Sequence, residues 1–129
     1  AAFLDVAPDR EASMSAAMVR VSPHEMKRLI RREKNYRQQD LGPSVRLTGG
    51  RSMDPGAAAW CFVGHPQHRV GPSDDGVVML EGYIERVRAA ARRLDPEMEA
   101  ALVESIQVSG FARVAGPYEF VDREQASLV

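Results

Sequence analysis

A carboxylate stands in this sequence where the pattern asks for a hydrocarbon. Ser22-Pro23-His24-Glu25 carries the marks of a helix start. Ser22 suits the cap, Pro23 the first helical position, and Glu25 lies three residues after the cap. A helix is expected over 23–36, with Met26, Leu29 and Ile30 as its apolar stripe. The next position on that stripe is Glu33. A carboxylate on an apolar face costs free energy to desolvate unless it is paired or hydrogen-bonded. Such desolvation is how a glutamate is made into a general acid or base near neutral pH. The alternative is that the face ends at Ile30 and Glu33 emerges at its rim, neutralised by Arg37 four residues on.

The same segment is dense in cations: Lys27, Arg28, Arg31, Arg32, Lys34 and Arg37. A face of this kind can meet phosphates. However, Tyr36 is the one aromatic among these residues, and 17 basic against 18 acidic residues leave a net charge of −1. A solvated or partner-docking face is expected instead of a nucleic-acid surface. The partner-binding candidates are Arg28, Arg31 and Arg32, with Tyr118 and Phe120 in the C-terminal tail.

Cys61, His65 and His68 are spaced C-x3-H-x2-H, a set of ligand types that suits zinc. A fourth ligand at a matching spacing is absent and Pro66 separates the histidines, so the expectation is no metal: a buried thiol beside two loop histidines. Asp122-Arg123-Glu124 reads as solvated charge, or as a tail folding back on the domain. The sequence holds no glycine-rich phosphate loop, nucleophile elbow or Ser/His/Asp arrangement, and no cofactor is expected.

These residues must be positioned by a handful of short elements. Residues 14–21 end in a β-branched run and read as a strand, and Ala57–Val63 as a buried strand holding Trp60. Between them, 38–48 is a broken strand pattern and Gly49-Gly50 a turn. Residues 64–76 read as a loop. The clearest helix is expected over 77–94, where Leu80, Tyr83, Ile84, Val87, Ala91 and Leu94 recur every three or four residues. Asp95-Pro96 ends it and caps a further helix to about Ile106, with Met98, Leu102 and Ile106 on one face. A short extended piece is expected at 118–121. This order implies an α+β fold with a small, mostly antiparallel sheet or partial barrel flanked by helices.

The length of 129 residues fits one domain over 1–129. Hydrophobic residues at 44% and charged residues at 27% are ordinary for a globular chain and exclude disordered, collagenous and disulfide-stapled classes. Aromatics at 6% leave the core to Ala, Val, Leu, Ile and Met. No apolar run reaches the ~20 residues of a membrane-spanning helix. The start at Ala1 fits transit-peptide removal, and hence an organelle such as a chloroplast or mitochondrion; trimming accounts for it equally well.

Several segments together resemble the γ-glutamylcyclotransferase-like superfamily. Ala17–Glu25 is similar to that family's strand leading into a capped helix, and Leu29 followed by Arg32-Glu33-Lys34-Asn35-Tyr36 to its L-x-x-R-E-x-x-Y element. Ala59–Gly64 resembles the following strand, Pro72 through Ile84 the loop and helix after it, and Phe120-Val121-Asp122-Arg123 an Asp-Arg closure. The match covers about 14–123. The resemblance implies a small mixed β-barrel flanked by helices. It also implies an intramolecular acyl transfer, in which the α-amine of a γ-glutamyl group attacks its own γ-carbonyl, expels the amine and leaves 5-oxoproline. Glu33 corresponds to the family's catalytic glutamate, which takes a proton from the attacking amine and passes it to the leaving nitrogen.

The family's enzymes open with a strand and a Tyr-Gly-Ser-type loop that holds the carbonyl oxygen, and this sequence begins after the point where that loop would lie. One oxyanion donor is commonly worth about 10²–10³ in rate. The leading expectation is therefore a non-catalytic family module serving as an accessory subunit of a larger assembly. The alternative is a γ-glutamyl cyclotransferase, with Glu33 as its general acid/base, whose first portion lies upstream. On the leading reading the chain is held by neighbours through a strand edge, the arginine-bearing helix or the tail.

Overall fold

A computed structural model of the chain describes residues 3–117. It is a mixed α/β structure with three α-helices, an antiparallel strand pair and a short parallel pair. The described chain gathers into two compact units, one of residues 5–7 and 22–69, the other of 3–4, 8–21 and 70–117. Among the described residues the strands form these two separate pairs and no barrel.

The first unit opens with α1, Pro23–Arg32. Its start is the expected capping box: Glu25 N–H donates to Ser22 Oγ at 3.3 Å, and Ser22 N–H donates to Glu25 Oε2 at 2.7 Å. The helix ends at Arg32, four residues short of the expected limit, with Glu33 as its C-cap. There Glu33 N–H still donates to the carbonyl of Leu29 at 2.9 Å, and Tyr36 N–H turns back to the carbonyl of Glu33 at 3.1 Å. Glu33 to Tyr36 is therefore the reversal between helix and strand, which is what the three-residue spacing in R-E-x-x-Y accomplishes. Ile30 does not extend the inward stripe: it is 45% exposed, while Met26 and Leu29 are half-buried.

Strand β1, Tyr36–Asp40, pairs antiparallel with β2, Trp60–Gly64, in the register Tyr36↔Gly64 to Asp40↔Trp60. The broken pattern after β1 is a single 3-10 turn at Gly42–Ser44, and Gly49 and Gly50 both take positive φ in the expected turn. On β2, Val63 is 3% exposed, as a core strand requires, yet Trp60 is 44% exposed. Trp60 stands at the outer end of a two-stranded ribbon opposite Asp40, where among the described residues no third strand covers it.

The second unit is built on a helical hairpin. α2, Glu81–Leu94, and α3, Pro96–Val108, meet at Asp95, whose carboxylate accepts from Glu97 N–H at 2.9 Å. α2 begins four residues later than the periodicity implies. Met79–Leu80 are drawn off as β3, which pairs parallel with β4, Arg113–Val114. Gly110, at φ 72°, terminates α3 and turns the chain toward β4. The core joins Met79, Ile84 and Ile106, with Leu4, Val77, Tyr83, Leu102 and Phe111 packed around them. Phe3 meets Tyr83 edge-on at 5.1 Å, and Leu4 N–H donates to the Tyr83 hydroxyl at 3.3 Å, which holds these two residues in this unit.

The strand expected over 14–21 does not form. Residues 11–20 are exposed throughout, with Met14 69%, Met18 52% and Val19 76% accessible. A β-branched run makes a strand only where another strand completes its ladder, and among the described residues none runs beside it. The extended piece expected at 118–121 lies outside the described residues.

Candidate functional site

Glu33 is not on a helical stripe as its spacing implied: it is the C-cap of α1, one residue past the helix, and the stripe has already ended with Ile30 exposed. Its side chain retains 17% of its surface. Its partner is the adjacent Arg32, whose Nε donates to Glu33 Oε1 at 3.1 Å. Arg37, the expected neutralising group, instead directs Nη1 to Gln39 Oε1 at 2.6 Å along β1. Arg32 is thereby half-withdrawn from the basic face, with 38% of its side chain accessible.

The other cations of α1 face outward. Lys27, Arg28 and Arg31 are exposed, and with His24 and Ile30 they fill one continuous arc of the helix. His24, Lys27, Ile30 and Arg31 line a shallow open groove. Glu25, the one carboxylate within the helix, is engaged in the cap, and the Ser22 hydrogen bonds hold its pKa below the usual value. The result is a cationic strip with an accessible isoleucine at its edge. Of the expected partner-binding residues, Arg28 and Arg31 lie on this strip and Arg32 flanks it; Tyr118 and Phe120 lie outside the described residues.

Cys61, His65 and His68 do not converge. Cys61 lies within β2 and is half-buried, its Sγ 3.6 Å from the Phe62 carbonyl. Burial pushes its thiol pKa up, and the charge of Asp5 adds to the effect. A thiol held protonated is a poor nucleophile and a poor ligand. The two imidazoles sit edge-to-face at 6.1 Å across a 3-10 turn, Pro66–His68. Among the described residues no group of three His, Cys, Asp or Glu side chains is placed to hold a metal ion.

A cluster that sequence reasoning missed lies at the end of β2. Asp5 Oδ1 accepts from Gly64 N–H at 2.8 Å, and Asp5 Oδ2 accepts from Arg69 Nε at 3.2 Å. Arg69 Nη2 also reaches the Gly64 carbonyl at 3.4 Å. A Cβ added at Gly64 would run into the Asp5 carboxylate. The one signal available in sequence was a glycine closing a strand, a place where another group approaches the backbone closely.

Among the described residues no helix is long and apolar enough to cross a membrane. Comparison of the chain with protein-family models, curated proteins and solved structures gives no match.

Proposed function

We propose that this chain is a γ-glutamylcyclotransferase-like accessory module that binds an acidic segment of a protein partner on the outer face of α1 and performs no turnover. The observation that carries the reading is Ile30, 45% exposed at the edge of the strip formed by Lys27, Arg28 and Arg31. An apolar anchor flanked by cations matches a partner segment with a large aliphatic side chain among carboxylates. It suits nucleic acid less well, because beside its guanidinium and ammonium groups the strip offers the single small ring of His24 and no Phe, Tyr or Trp. The engagement of Glu33 Oε1 by Arg32 supports the absence of turnover, since a general base must turn its lone pair to the attacking amine.

The test is a titration of the full chain with a fluorescent Glu/Asp-rich peptide containing one leucine. Binding should weaken steeply with salt, and each of Lys27→Glu, Arg31→Glu and Ile30→Asp should lower affinity about tenfold or more. Tighter binding of a single-stranded RNA of equal length, or indifference to all three substitutions, would overturn the reading.

A second reading, a γ-glutamyl cyclotransferase with Glu33 as general acid/base, is favoured by one observation: the low exposure of Glu33 at the position the resemblance assigns to the base. Release of 5-oxoproline from a γ-glutamyl amide, lost in Glu33→Gln, would establish it in place of the first.

A further inference from the structure

The contacts around Gly64 have the composition of a carboxylate receptor. A backbone N–H and a guanidinium N–H point at the two oxygens of one carboxylate, and the guanidinium's second arm is fixed by the Gly64 carbonyl. Charge-assisted donors set in this fork geometry are the arrangement by which proteins take up carboxylates generally. The glycine is part of the construction, because any side chain at position 64 would fill the space in which the carboxylate lies. The carboxylate now in that space comes from a residue that follows Leu4, held by the Tyr83 hydroxyl, and precedes an open stretch. After Val6 the chain is exposed through Arg20 and without regular structure. Asp5 is not sealed in either: its side chain keeps 24% of its surface and that of Arg69 39%, so solvent and small solutes reach the pair.

We infer that Gly64 and Arg69 form a carboxylate-binding site which the chain occupies in cis with Asp5, and which accepts an external carboxylate, of the acetate or glutamate side-chain class, when the Asp5 side chain turns out into solvent or is removed. Tethering gives Asp5 an effective concentration in the millimolar range, so an external carboxylate competes when it exceeds that range or when the tethered group is removed. The assignment is independent of the α1 face and of any role for Glu33.

The experiment empties the site and refills it. Asp5→Ala should lower the melting temperature, and sodium acetate should restore it along a saturable curve with a midpoint in the millimolar range. Sodium chloride at equal ionic strength should not reproduce this, since screening follows salt and not carboxylate. Adding Arg69→Gln to Asp5→Ala should remove the acetate response. A folded Asp5→Ala protein that responds equally to acetate and chloride would overturn the inference. Should Asp5→Ala not fold, Asp5→Asn retains the shape of the side chain and an acceptor oxygen for Gly64. In that variant the Gly64 amide resonance should move saturably with acetate, and a resonance that stays fixed would overturn the inference equally.

Discussion

Arg92 grips Glu99 across the helical hairpin with both arms of its guanidinium, Nε to Oε2 at 2.7 Å and Nη2 to Oε1 at 2.6 Å. Arg88 adds a third donor at 3.3 Å and reaches back to Glu85 at 2.9 Å, so two residues of α2 clamp one of α3. The hydrogen bond from Arg92 holds the Glu99 carboxyl below its ordinary value of 4.5, and both arginine charges add to this. A carboxyl lowered on folding stabilises the protein above its unfolded pKa, and that contribution is lost as the pH falls through the folded one. Glu99→Gln should therefore lower the melting temperature near neutral pH, and its deficit against the parent should close below 4.5. Thermal melts of both proteins at about pH 7 and about pH 3 check this, and a deficit unchanged in acid would contradict it.

The cap of α1 gives a second expectation. No residue of α1 is fully buried, so its stability leans on its ends more than on packing. Ser22→Ala deletes the oxygen that accepts from Glu25 N–H and should cost about 1 kcal/mol in urea denaturation, with Ser22→Asn recovering most of it. Equal stability of the alanine variant and the parent would mean the helix is held by contacts elsewhere.

What the sequence disclosed and what it concealed divide by distance along the chain. The caps at Ser22 and Asp95, with Pro23 and Pro96 behind them, are complete within four residues and were readable as written. Glu33 was singled out by helical period, but the helix stops one residue before it, so its low exposure comes from the turn into β1 and its pair with Arg32. The strand over 14–21 was not readable, because its residues have β propensity but strand formation is decided by a partner that local sequence does not specify. Trp60 misled through composition, as a lone tryptophan in an apolar run looks like core, yet it stands 44% exposed at the end of a two-stranded ribbon. Asp5 and Gly64 are 59 residues apart, and no periodicity links them.

For Glu33, the accessory reading and the enzymatic one diverge in a single pair of measurements. The full chain given a γ-glutamyl amide should release no 5-oxoproline, and Glu33→Gln should behave identically. Its pair with Arg32 is partly solvent-screened, with 38% of the arginine accessible, so the substitution should change stability by less than about 1 kcal/mol. Chromatographic detection of 5-oxoproline at an enzymatic rate in the parent alone would reverse the assignment of function.

The close approach at Gly64 supplies the last expectation. Gly64 has an ordinary backbone conformation, so an alanine there meets no torsional penalty; its difficulty is the Asp5 carboxylate lying where the new methyl must go. Gly64→Ala should expel that carboxylate, forfeiting the hydrogen bond to Gly64 N–H and the one from Arg69, at a cost of about 2 kcal/mol. Asp5→Ala should cost a similar amount by removing the same two bonds from the other side. Because each substitution destroys what the other destroys, the double variant should be scarcely less stable than either single one, with a coupling energy of about 2 kcal/mol. Urea denaturation of the four proteins of this cycle measures that coupling directly. Additive losses would show that Gly64 resists alanine for a reason other than Asp5, and that the carboxylate is not seated against it in solution.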